Sequence, residues 1–151
     1  SFANLNSAIQ TQADLSVTTY PLGNLALYTT STASLQRELY PSGKHNDEFV
    51  FNQLIGFKTV KFLWFEGHIT IGNLSNFVAN NGLSVFNGIG TIKQRVGGRA
   101  IVLINPKLNL QISYTYNQME SYFIESMNVD KKYNPIKYNN HSITGGIVWN
   151  F

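Results

Sequence analysis

The chain contains no cysteine. Thiol catalysis, zinc–thiolate sites and disulfides are therefore excluded. Charge is scarce: Asp, Glu, Lys and Arg together are 13% of the 151 residues, about half the usual share. No apolar run approaches the roughly 18 residues of a membrane helix. Three scattered histidines, His45, His68 and His141, have no metal-ligand spacing, and nothing points to a cofactor. The net charge of +3 is too small to argue for a nucleic-acid surface, and no basic cluster is interleaved with stacking aromatics. "NGIG" (87–90) and "RVGGR" (95–99) carry glycines without a following strand–loop–helix pattern, so no phosphate-binding loop is supported. The start, "SFANLNSAIQ", lacks the basic and apolar regions of a signal peptide.

What is present is an ordinary apolar share, 43%, with 13% aromatics and abundant Asn. Few charges beside a normal apolar total suit a protein whose exterior is not all in water. Period two dominates the patterning. Ile9, Thr11, Ala13, Leu15 and Val17 alternate with polar residues over 8–20. Further strands are expected at about 24–38, 49–57, 62–71, 91–104 and 108–123, with a closing strand from His141. "YPLGN" (20–24) and "NPKLN" (105–109) read as tight turns. Residues 73–90 read as mostly loop, and no amphipathic helix or domain linker is visible.

The expected connections alternate: short at 21–24, 58–61 and 105–108, long at 39–47, 73–90 and 124–140. In a meander this puts tight turns at one end and long loops at the other, as in transmembrane β-barrels. The faces agree with that pattern. Ile92, Val96, Ala100, Val102 and Ile104 share one parity, while Lys93, Arg95 and Arg99 share the other. A basic side chain facing lipid costs about 2–4 kcal/mol at the midplane, so these three are expected to face a lumen. There they would line an anion-attracting pore or be neutralised in a plug by carboxylates such as Asp14 or Glu66. Glu66 and His68 form a second inward pair, which supports acid–base work or a hydrogen-bond network. No paired nucleophile is identifiable, so no catalytic residue is assigned. Aromatics gather near strand ends: Tyr20, Phe57, Phe62, Trp149 and Phe151 at one, Tyr40, Phe49, Phe51, Tyr122 and Phe123 at the other. Interfacial girdles would place them so.

The last eleven residues, "HSITGGIVWNF", alternate to the final residue. With Ile147, Trp149 and Phe151 on one parity, this tail resembles the C-terminal assembly signal of Gram-negative outer-membrane barrels. The Asn-, Tyr- and Gly-rich strands are similar in style to outer-membrane proteins of Bacteroidota. The resemblance implies a Gram-negative outer-membrane location, surrounding lipid, recognition by the barrel assembly machinery, and no nucleic acid. The expected fold is thus all-β: an antiparallel up-and-down transmembrane barrel forming a single domain over 1–151.

Seven strands are counted, whereas bacterial single-chain barrels have an even number. Either the chain is the C-terminal part of a larger barrel completed by other strands or subunits, or a hairpin within 73–98 makes eight. The first is favoured, because residues 1–20 hold no internal turn signal and the first strand starts without a leader. The functions compatible with this fold are a pore or transport component and a structural subunit of an outer-membrane complex. The alternatives are a soluble all-β ligand-binding module and a barrel hydrolase or acyltransferase.

Overall fold

The computed structural model describes residues 2–5, 8–79, 84–86, 90–121 and 135–149. They are all-β, with no helix among them. In chain order the strands are β1 (Phe2–Leu5), β2 (Ala8–Thr19), β3 (Leu27–Leu39), β4 (His45–Val60), β5 (Leu63–Gly72), β6 (Phe77–Ala79), β7 (Ser84–Phe86), β8 (Thr91–Asn105), β9 (Leu108–Ser121) and β10 (Ile136–Trp149). Eight form one antiparallel sheet in the order β1-β2-β3-β4-β5-β8-β9-β10. β6 and β7 form a separate two-stranded ribbon.

Four expectations need correction. The sheet is not closed among the described residues: β1 and β10 are its edges. The eighth strand comes from the N-terminus, where β1 folds back on β2 with Leu5 opposite Ala8. The expected single strand over 1–20 is therefore two. Only Asn6 and Ser7 lie between them, and two small polar residues are a weak signal for so tight a reversal. The hairpin expected within 73–98 exists as β6–β7 but does not join the main sheet. The sorting of loop lengths is also weaker than expected, because β4 starts at His45 and β3 only at Leu27. The β3–β4 connection is thus shorter than the β2–β3 one.

Alternation decides which side chains meet. Toward the Ala8 end of β2 and the Leu39 end of β3 the even positions are covered: Ala8, Gln10, Gln12, Ser34, Gln36 and Glu38 are buried. Their odd neighbours Ile9, Leu15, Val17, Leu35 and Leu39 are exposed. Cross-strand register carries the same two faces through the sheet. Glu66 lies opposite Arg99, Thr70 opposite Arg95, Arg99 opposite Ser113 and Ser113 opposite Thr144. These residues form a polar face. The other face presents Phe49, Phe51, Ile55 and Phe57 on β4, Phe65 and Ile71 on β5, Leu110 and Ile112 on β9, and Ile143, Ile147 and Trp149 on β10. The usual arrangement is inverted. Polar amides are inside, and large apolar side chains are outside.

A bulge between Ile92 and Gln94 breaks the expected parity of β8. Ile92 moves to the polar side, where it packs against Val50, Leu74 and Phe77. Lys93 is the bulge's extra residue, so alternation no longer groups it with Arg95 and Arg99.

Candidate functional site

The polar face of β2–β5 is covered by the segment that leaves β5. Gly72 lets it go: its φ is +136°, and a Cβ there would stand 2.5 Å from the Phe49 carbonyl oxygen. The chain then turns through Asn73, whose side chain accepts a bond from the Ser75 N–H, and Asn76, at φ 55°. Residues 73–79 form a strap across the sheet. Leu74 and Phe77 pack on Val50, with Ala79, Phe86 and Ile92 around them. Leu74 also donates its N–H to the Ile92 carbonyl at 2.9 Å.

Side-chain amides fasten this strap to the strands. The Gln12 amide meets both backbone groups of Val78, donating to its carbonyl at 2.8 Å and accepting its N–H at 3.1 Å. Gln36 donates to the Ser75 carbonyl at 3.0 Å. Glu38, only 2% exposed, accepts from Asn76 at 2.7 Å, Gln36 at 3.2 Å and the Tyr40 hydroxyl at 2.8 Å. Glu48 accepts from Asn73 at 2.8 Å and Asn46 at 3.1 Å. Buried carboxylates are costly without donors, and here neutral amides and a phenol supply them. The chain's own strap backbone is satisfied the same way, so polar residues inside the sheet hold a second layer.

A second cluster lies further along the same face. Tyr28, Gly56, Glu66 and Arg99 share one cross-strand row. Tyr28 lies over Gly56, where a Cβ would collide with its ring, and its hydroxyl bonds Glu66. Arg99 closes on the same carboxylate through Nε at 2.9 Å and through an Nη. In the next row the His68 ring lies over Gly97, 2.5 Å from where a Cβ would be. Arg95 sits one row further on, opposite Thr70 and Asn117. Its guanidinium faces the Phe86 ring at 5.3 Å. No ion pair engages Arg95 among the described residues, and its Nε is buried without a partner.

Of the expected site residues, Glu66, His68, Arg95 and Arg99 therefore share the polar face. Glu66 pairs with Arg99 and Tyr28, with no hydrogen bond to His68. Ile147 and Trp149 stand exposed on the apolar face of β10, and Phe151 lies outside the described residues, as do Tyr122 and Phe123. Among the described residues no group of acids and histidines could hold a metal ion. Among the described residues no helix is long and apolar enough to cross a membrane.

No protein-family model, curated protein or solved structure matches this chain.

The strap and its amide anchors were not visible as such in the sequence. Gln10, Gln12, Gln36 and Glu38 read only as polar halves of alternating strands, and Glu48 as the end of a polar loop. The available signal was their clustering toward one end of β2, β3 and β4, together with Leu74 and Phe77 inside an Asn-rich stretch.

The apolar face has its own boundary. Arg37 and Asp47 form a bidentate pair at 2.6 and 2.7 Å, and Lys137 reaches Glu120 at 3.6 Å. All four lie in line with the apolar rows, at the end of the sheet nearer the strap. Ten residues of β3 separate Leu27 from Arg37. At ~3.3 Å of rise per residue that is about 33 Å of strand. At the ~45° tilt of membrane strands it spans roughly 23 Å in height, close to the ~25 Å band of outer-membrane barrels.

Proposed function

We propose that this chain forms wall strands of an antiparallel transmembrane β-barrel in a Gram-negative outer membrane, as a pore or transport component. One observation carries the reading: the sheet buries Gln10, Gln12, Gln36 and Glu38 and exposes Leu35, Phe49, Ile143 and Ile147. In water each large exposed apolar side chain forgoes ~1.5–3 kcal/mol of burial, whereas hydrocarbon recovers it. A soluble ligand-binding sandwich would instead pack these rows against a second layer. The ion pairs at one end of the apolar band suit the headgroup level.

This reading carries a requirement. β10 has a partner on one side only, and β1 covers only residues 8–11 of β2. Unpaired backbone groups in hydrocarbon cost several kcal/mol each. Both β10 and residues 12–19 of β2 must therefore be paired, with further strands or with each other. The strap supports a second reading of the same barrel, a plugged structural subunit, because it fills part of the polar side. Steady channels in planar bilayers support the pore, and a silent, partner-bound protein supports the subunit.

The absence of native cysteine makes the faces directly testable. Single cysteines at Leu35, Ile143 and Ile147 are expected to resist a membrane-impermeant maleimide in native membranes and to react in a denatured sample. Cysteines at Thr144 and Ser142, on the other face, are expected to react through an aqueous interior. Equal labelling at both parities would remove the membrane reading.

A further inference from the structure

Cross-strand register separates most of the charges of the polar face, the exception being Lys58 on β4, which lies over the Trp64 ring near the end of the sheet away from the strap. Its carboxylates, Asp14, Glu38, Glu48 and Glu66, all lie on β2–β5. Across β8–β10 the described part of this face carries Arg95 and Arg99 and no carboxylate, since Glu120 is on the apolar side with Lys137. The strap then covers the acidic half unevenly. Glu38 is buried under Asn76, and Glu48 is bonded to Asn73. Glu66 is closed by Tyr28 and Arg99 and is little exposed. Asp14 is the exposed exception, accepting from Gln12 at 2.8 Å. The opposite half is more open toward its edge: β8 and β9 are mostly half-buried, and every described residue of β10 is exposed on both faces. The space beside the strap is thus bordered by Arg95, by the outer part of Arg99, and by the neutral side chains of β9 and β10.

We infer that the passage left open by the strap runs along β8–β10 and favours small anions, chloride or simple carboxylates, over cations. The inference rests on the pore reading and adds to it the solute class. Cations at a constriction raise the local concentration of anions and lower their barrier. Arg95 is the decisive group because no carboxylate among the described residues neutralises it, whereas Arg99 shares its charge with Glu66. Removing the Arg95 charge lowers that preference, and removing the exposed Asp14 charge raises it.

The experiment uses protein extracted from membranes in its assembled form and placed in a planar bilayer under a potassium chloride gradient at low ionic strength. The reversal potential is expected to show chloride preferred over potassium. Arg95→Gln is expected to lower the chloride-to-potassium permeability ratio by about two- to fourfold, because one unit charge about 10 Å from the path in water acts about twofold on each ion, in opposite directions, before screening. Asp14→Asn, at an exposed position, is expected to raise it by a similar factor. Channels that prefer potassium, or whose selectivity is unmoved by both variants, overturn the inference and leave the pore standing. A bilayer that stays silent with heat-modifiable, correctly inserted protein overturns the pore reading and the inference together.

Discussion

Replacing Ile143 by lysine is expected to abolish stable membrane insertion, while Thr144→Lys, one residue along, is expected to insert normally. Ile143 is near the middle of β10, on the apolar face opposite Tyr114, and is 73% exposed. If that face meets hydrocarbon, a lysine there costs about 2–4 kcal/mol, which is roughly a 30- to 1,000-fold loss in the insertion equilibrium. Thr144 points to the polar face opposite Ser113, where an ammonium stays in water. The same pair separates the membrane reading from a soluble one. On a water-exposed surface Ile143→Lys would change stability by no more than ~0.5 kcal/mol. The measurement is the fraction of each variant that is carbonate-resistant in membranes and heat-modifiable on a gel. Equal yields for both lysines would show that the apolar face is not in lipid.

The contrast between neighbours exists because period two was written plainly in some strands. Leu110 and Ile112 share one parity in β9, and Ile143, Ile147 and Trp149 share one in β10, so the apolar side of each strand could be read without coordinates. β8 was legible only as far as its bulge. Alternation assumes one residue per step, and the extra residue at Lys93 shifts Ile92 to the other face. The row of Tyr28, Gly56, Glu66 and Arg99 was out of reach for a different reason. Its members come from four strands, and periodicity within a strand says nothing about register between strands. The strap was hidden because its anchors lie far off in sequence. Gln12 is 66 residues from Val78, and Asn76 is 38 from Glu38. Their amides look like any polar stripe until the loop that uses them is in place.

Glu38→Leu is expected to release that strap without unfolding the sheet. The carboxylate is the shared acceptor for Asn76, Gln36 and Tyr40. Leucine fills much of the volume and accepts nothing. Asn76 and Gln36 then each lose one buried acceptor, at about 1–3 kcal/mol together, while Gln36 keeps its bond to the Ser75 carbonyl. Asn76 is part of the strap, whereas Gln36 belongs to β3, so the strain is relieved most simply by lifting the strap and hydrating both. β3 itself keeps its ladders to β2 and β4, so the loss is local. Hydrogen exchange reads this directly. The Val78 N–H, held by Gln12, and the Leu74 N–H, held by Ile92, are expected to exchange roughly 30-fold faster or more, as a ~2 kcal/mol loss implies. Amides of β9 and β10 are expected to be unchanged. Glu38→Gln sets the scale of the effect. It keeps one acceptor for Asn76 and turns a donor toward the Tyr40 hydroxyl, which can accept it, so it is expected to cost only ~1 kcal/mol. If Glu38→Leu leaves the Val78 and Leu74 amides as protected as before, the strap is held by its apolar contacts through Leu74 and Phe77, and the amide clamp is incidental. If instead the whole sheet exchanges faster, strap and sheet are one cooperative unit, and the interior of this protein cannot open without loss of its wall.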